Sequence, residues 1–133
     1  MATLLTTGRT VVTAGETPNF TADLYDTDGT ALTKSAITSL TLTIKDCAGD
    51  VINSRNAVNI NDTGIGSLED VVVDGVTVVR LTVKPVAADT AFQANHGTKE
   101  VHRWEIKWGW TDGDGDARIG GEIYDINVER VAA

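Results

Sequence analysis

The stretch Ser39-Leu-Thr-Leu-Thr-Ile-Lys-Asp46 has an apolar residue at every second position. Because successive side chains of a strand point to opposite faces, this alternation predicts a β-strand with its two leucines and its isoleucine in a core. The segment 48–50, Ala-Gly-Asp, is typical of a turn. The run 51–55, Val-Ile-Asn-Ser-Arg, is therefore expected to return as a short antiparallel partner.

The same alternation recurs along the chain on both sides of this stretch. Asp74-Gly75 stands between two valine-rich runs and predicts a tight hairpin, with Val79, Leu81 and Val83 inside. Pro85 breaks the alternation, and it predicts one or two helical turns in a crossover between sheets. The other predicted strands lie around 10–14, 20–24, 99–110 and 121–128.

These elements predict an all-β fold, a β-sandwich of about seven or eight antiparallel strands with one short helical crossover. The 133 residues suit a single domain, 1–133, with its core between about 9 and 131. The one cysteine, Cys47, has no partner within the chain for a disulfide, as expected of a protein that matures in a reducing compartment.

Charge and hydropathy favour some partners and disfavour others. The formal net charge of −8 and the isoelectric point of about 4.5 repel phosphate backbones and anionic lipid, so neither nucleic acid nor membrane is an expected partner. The amino terminus lacks a basic start followed by an apolar run, and we expect synthesis in the cytoplasm.

Three aspartates alternate with glycines just after the tryptophan-rich run. Asp112, Asp114 and Asp116 match the first, third and fifth ligand positions of a helix-loop-helix calcium loop. Ala117 and Ile123 stand where that loop needs glycine and glutamate. Because strands flank the segment, a hairpin tip is favoured; a weak calcium site, the one cofactor considered, stays open if the aspartates of the 26–28 turn come within reach.

The row Trp104, Ile106, Trp108 and Trp110 falls on one face of a predicted strand. A buried row would form the core, which the intervening charged residues favour. Three indoles are many for a small core, so part of the row is also a candidate interface. Trp110 is expected to be the most exposed of the three, and Tyr25 with Trp108 and Trp110 makes up the predicted interface set.

No arrangement of residues in the sequence is typical of an enzyme. Ser67 lacks the glycines of a nucleophile elbow, and Cys47 reads as a small apolar turn residue. His96 and His102 are not spaced like metal ligands or a catalytic pair, and we expect them to be exposed or ordinarily hydrogen-bonded. The sequence therefore predicts a protein without catalytic activity.

Six segments together resemble a known family. They combine an acidic first turn, alternating strands, and a Pro-x-x-x-Asp crossover. This layout is similar to the immunoglobulin-like domains of tailed-phage virion proteins, in particular the amino-terminal domain of phage baseplate upper proteins. The segments are GETPNFTADLYDTDGTAL (15–32), ITSLTLTIKD (37–46), GDVIN (49–53), LTVKPVAADTAF (81–92), EVHRWEIKW (100–108) and GEIYDINVER (121–130).

The resemblance implies an immunoglobulin-like, non-enzymatic part of a virus particle. Its partners would be other virion proteins of the capsid, neck or tail, bound in multiple symmetric copies after assembly in the host cytoplasm. No receptor-binding part follows in this sequence, which favours the capsid exterior or the head-tail neck over the baseplate. The alternative is a module that binds carbohydrate or another surface ligand through the tryptophan face.

Overall fold

The computed structural model describes residues 3–6, by their backbone alone, and 11–61, 63–94 and 97–130. These ranges contain nine strands and two single-turn 3-10 helices. The helices are Lys34–Ala36 and Ala87–Thr90. The strands are β1 Thr3–Thr6, β2 Val11–Thr13, β3 Phe20–Asp23, β4 Ile37–Lys45, β5 Val58–Asn59, β6 Gly66–Val73, β7 Val76–Val83, β8 Lys99–Thr111 and β9 Ala117–Glu129.

The strands form two sheets, in the orders β1-β3-β7-β6 and β2-β9-β8-β4-β5. This is the all-β, sandwich-like architecture that the alternation predicts. The expectation of antiparallel strands throughout is wrong at one pair, because β2 runs parallel to β9 with Val12 opposite Val128. Hairpin turns force antiparallel pairing, and no hairpin joins these two distant strands.

One core lies between the sheets, and it takes the apolar face of nearly every predicted strand. Phe20 of the first sheet and Trp104 of the second meet there with ring centroids 5.0 Å apart. The predicted inward positions of β4 and β7 are confirmed. The fully buried large apolar side chains are Phe20, Leu24, Leu40, Leu42, Ile44, Ile52, Ile60, Leu81, Trp104, Ile106 and Trp110.

Three five-residue turns have the same construction: 26–30, 46–50 and 112–116. In each, the first aspartate accepts N–H bonds from the third and fifth residues through one carboxylate oxygen. The fourth residue is a glycine at φ between 83° and 90°, a conformation that glycine adopts without steric cost. The sequence signal Asp-x-x-Gly-x therefore specifies a tight turn at all three places.

The return strand predicted at 51–55 is wrong beyond its first residue. Val51 pairs with Lys45 in an isolated bridge, and the partner strand of β4 forms later, at Val58–Asn59. Asn53 and Ser54 have positive φ angles of 52° and 56°, which an extended strand cannot contain. The predicted helical crossover after Pro85 is present as the single turn Ala87–Thr90.

Candidate functional site

The two sheets meet at two ends that differ in how their loops are held. At the first, the turn 25–31, the β6–β7 hairpin tip at 74–75 and the aspartate turn 112–116 lie side by side. We call it the open end. At the other, the clamped end, the segment 51–57 is bound to the crossover 85–90 through side-chain hydrogen bonds.

The tryptophan row belongs to the core. Trp104 is fully buried, and only 4% of Trp108 and 2% of Trp110 is exposed. The core interpretation is therefore confirmed, and the expected exposure of Trp110 is wrong. Sequence could not show that the turn after β3, from the opposite sheet, lies against this end of β8.

The three predicted interface residues are nevertheless together. Tyr25, Trp108 and Trp110 line one pocket of about 230 Å³ at the open end, between the turn after β3 and the inner face of β9. Gly120 and Glu122 supply its β9 wall. Gly120 matters for the packing, because a Cβ added there would lie 3.0 Å from the Trp110 ring. The backbone of β9 therefore packs closely against the Trp110 indole at Gly120.

Two buried polar atoms of this pocket's lining residues have no hydrogen-bond partner among the described residues. They are the indole Nε1 of Trp108 and the carboxylate Oε1 of Glu122. Buried polar groups in native proteins are nearly always paired, because an unpaired one loses its hydration without compensation. Two residues that line this pocket, which we call the aromatic pocket, thus hold one unpaired donor and one unpaired acceptor. Its polar wall was not foreseen, since Glu122 sits at an ordinary alternating position of β9.

The aspartate turn has a carboxylate that is already occupied. Asp112 accepts the N–H groups of Asp114 and Asp116 through Oδ1, at 3.0 and 2.9 Å, and the Arg118 Nε–H through Oδ2 at 2.9 Å. Arg118, with these N–H groups, lowers the pKa of Asp112. The hairpin-tip interpretation therefore explains Asp112, the first aspartate of the motif, as a turn residue.

The calcium hypothesis stays a prediction. Carboxylate oxygens of Asp112, Asp114 and Asp116 lie within 4.8 Å of one another. The turn holding Asp26 and Asp28 comes within reach, as that hypothesis required, and shares a depression of about 320 Å³ with the aspartate turn. Hydrogen bonds with Asp26 and Thr30 lower the pKa of Asp28 to about 2, so this end stays negatively charged at neutral pH.

The clamped end is organised by Asp89, which is completely buried. Its carboxylate accepts hydrogen bonds from Arg55 Nε at 2.8 Å, Asn53 Nδ2 at 2.8 Å and the Val86 N–H at 2.9 Å. Burial raises the pKa of Asp89, but the donors of Arg55, Asn53 and Val86 outweigh burial and leave it lowered. The Pro85-x-x-x-Asp spacing indicated a crossover here, but it did not reveal the clamp or Arg55 as the partner of Asp89.

A second acid is held near the clamped end. Glu100 accepts the N–H groups of Gln93 and Ala94, both at 2.9 Å, and bonds His102 Nε2. Burial raises the pKa of Glu100, but the hydrogen bonds from the Ala94 N–H and His102 lower it by more. The pKa of Glu100 is therefore lowered overall. His102 is buried and hydrogen-bonded rather than exposed, and His96 lies outside the described residues.

Ile119 and Ile123, on the outer face of β9, are together with Val72 the most exposed large apolar side chains of the described residues. Ile119 is 76% exposed and Ile123 is 60% exposed, with Gly121 between them. They border a shallow groove of about 470 Å³ whose charged lining residues are Glu105 and Lys107 of β8 and Glu122 of β9. Among the described residues, β2 pairs with β9 only from Asn127 to Glu129, so the rest of that edge has no described strand beside it.

Fold and site together define an all-β protein of two packed sheets with an aromatic pocket and an exposed apolar strand. In comparisons with known proteins, no family model and no curated protein matches the chain. Within the described ranges, no helix combines the length and the apolar character needed to cross a bilayer.

Proposed function

We propose that this protein is a non-enzymatic structural component of a tailed-phage virion. In this proposal it is an immunoglobulin-like accessory domain that docks in symmetric copies on the capsid exterior or the head-tail neck, after assembly in the host cytoplasm. The observation that carries the docking role is the exposed apolar pair Ile119 and Ile123 on β9. The virion setting rests on the resemblance of the six segments.

The β9 face has the properties of a protein-docking surface. Ile119 and Ile123 are the same-face neighbours of Gly121, so the strand offers two apolar side chains on either side of a residue that has none. A strand edge without a neighbour also exposes N–H and C=O groups that can pair with another chain. Apolar residues on such an edge promote aggregation unless a partner covers them, which favours a protein that works inside an assembly.

The held acids support the non-enzymatic part of the proposal. Asp89 is saturated by Arg55, Asn53 and a backbone N–H, and Glu100 by two backbone N–H groups and His102. A general base needs a lone pair directed at substrate, and a nucleophile needs an activating neighbour. Both carboxylates instead connect loops, which is a structural task.

Two alternative functions would use residues already described. A tail or baseplate component would dock by the same chemistry and differ only in copy number. A module for carbohydrate or another surface ligand would use Trp108 and Trp110, but sugars stack on exposed ring faces, and these rings are almost completely buried. The docking role is therefore better supported than the sugar-binding one.

The test is quantitative mass spectrometry of density-purified particles from the source lysate. Copies on the scale of the major capsid protein would mean decoration, and a small symmetric number would mean neck or tail. Absence from the particles would overturn the virion proposal.

Docking itself is tested by Ile119→Glu and Ile123→Glu, added back to particles that lack the protein. Val72→Glu is the matched control, because Val72 is 71% exposed on the other sheet. We expect the two β9 variants to lose at least tenfold in particle-bound copies and the control to keep them. Equal incorporation of all three would exclude this face as the docking surface.

A further inference from the structure

We propose that the aromatic pocket binds a lysine or arginine side chain from a basic segment of a partner protein. This rests on the proposed function only in that the ligand is a protein. It assigns the chemistry of the recognised residue, and it uses the inner side of β9, opposite Ile119 and Ile123. Gly120, Gly121 and Glu122 also line the groove beside Ile119 and Ile123, so peptide binding, and not particle incorporation, tests this inference.

The size of the aromatic pocket points to a single side chain. Its volume is about 230 Å³, below the ~300–1,000 Å³ of typical small-molecule sites. Its aromatic lining residues are Tyr25, which is partly exposed, and the nearly buried Trp108 and Trp110. An aliphatic stem can lie along such a wall while its charged head reaches a polar group, as lysine and arginine stems do on apolar surfaces.

The unpaired atoms specify what the ligand must offer. Glu122 Oε1 is buried and needs a donor, and a cationic donor makes the stronger, charge-assisted bond. Trp108 Nε1 is buried in a side chain that is more than nine-tenths buried, and it needs an acceptor. A lysine or arginine in a peptide brings both, because its head group donates and its main-chain carbonyl accepts.

The charge around the aromatic pocket favours a cation over a neutral donor. Asp26 belongs to its wall, and the adjoining depression is lined by Asp28, Asp112 and Asp114. The positive group in that depression, Arg118, is already bonded to Asp112. Together with the net charge of −8, this surface attracts basic segments and speeds their encounter.

The experiment is an NMR titration of the intact chain with the blocked tripeptide acetyl-Gly-Lys-Gly-amide, its arginine counterpart and its norleucine isostere. The readout is the indole N–H resonance of Trp108, assigned by its loss in Trp108→Phe. We expect saturable shifts with the two basic peptides. The norleucine peptide should bind at least about tenfold more weakly, the effect of losing one charged hydrogen bond.

Two variants separate the aromatic pocket from general charge attraction. Glu122→Gln keeps the side-chain shape and removes the charge, and it should weaken the lysine peptide at least about tenfold. Asp125→Asn makes the same charge change on the same strand, with an exposed side chain paired to Arg103 on the opposite face. It should change the affinity less than about twofold.

Several outcomes would overturn the inference. These are no indole shift up to about 10 mM of either basic peptide, equal binding of the norleucine peptide, or equal weakening by the two variants. A shift given by an oligosaccharide and by neither basic peptide would also overturn it, in favour of the sugar-binding alternative. Loss of peptide binding with normal particle incorporation would remove this inference alone, whereas binding without incorporation would remove only the virion proposal.

Discussion

Two carboxylates, one at each end of the sheets, differ in how many hydrogen-bond partners their buried oxygens have. Asp89 at the clamped end is completely buried, and it accepts bonds from Arg55, Asn53 and Val86. Glu122 at the open end has a buried Oε1 without a partner among the described residues, and the buried Nε1 of Trp108, which lines the same pocket, also has none. The two carboxylates lie against one core but differ in whether their buried oxygens have partners among the described residues.

This difference separates a structural acid from an available one. Donors supplied by the chain itself make Asp89 a connection between loops, and little of its interaction capacity is left for another molecule. Oε1 of Glu122 has no partner among the described residues, and Glu122 lines a pocket together with three aromatic residues. Where a fold leaves buried polar atoms unpaired, a ligand that pairs them recovers the lost hydrogen bonds.

The largest expected effect is the loss of the clamp in Asp89→Asn. The change removes one charge of a buried ion pair and sets an amide against donors, which costs about 3 kcal/mol of unfolding free energy. Urea unfolding followed by tryptophan fluorescence measures it. Asp125→Asn, whose ion pair with Arg103 is exposed, should stay within about 0.5 kcal/mol. A loss below 1 kcal/mol at Asp89 would show that the clamp does not hold the end closed.

The clamp also predicts a direction of pH dependence. The folded pKa of Asp89 is lowered below its unfolded value of about 3.9, so the stabilisation is complete above that value and is lost as pH falls through the folded pKa. We expect the wild-type chain to lose more stability than Asp89→Asn between about pH 5 and pH 2. Parallel stability curves for the two proteins would contradict this contribution.

A smaller effect is expected at the open end in Gly115→Ala. Gly115 has a φ of 83° and no atom within 4 Å of an added Cβ, so the substitution tests the backbone alone. Left-handed alanine should cost about 1 kcal/mol. Gly115→Asn is the control, since asparagine tolerates this conformation and should cost less. Equal losses in the two variants would mean that something other than φ sets the turn.

The smallest stability effect is expected for Glu122→Gln. This substitution repeats the carboxylate-to-amide change of Asp89→Asn where no described partner is lost, so the unfolding free energy should change by less than about 0.5 kcal/mol. The same urea experiment measures it. A loss comparable to that of Asp89→Asn would remove the distinction between the two ends.

Much of the fold could be predicted because its signals are local. Alternation placed the apolar faces of β4, β7 and β8 inward, and Asp74-Gly75 placed a hairpin. The failures were not local. The direction of β2 depends on β9, a strand more than a hundred residues away. The run after Val51 leaves the strand conformation at Asn53 and Ser54, which have positive φ angles.

Three residues of the candidate site were named from the sequence, but neither their burial nor the rest of the pocket was. The set Tyr25, Trp108 and Trp110 was named from sequence, and the three do line one pocket. Their exposure could not be read from alternation, because a strand's own pattern does not show which loop of the opposite sheet covers it. Glu122 gave no sequence signal at all.

By itself, the sequence determined the strand periods, the three Asp-x-x-Gly-x turns and the acidic surface, because each follows from neighbouring residues and their side-chain chemistry. Only the tertiary structure decided that the 26–28 turn meets the aspartate turn, that Arg55 reaches Asp89, and that Oε1 of Glu122 has no partner among the described residues. The physical reason is that burial and hydrogen-bond satisfaction belong to pairs of groups distant in the chain, and their free energy depends on which groups packing brings together.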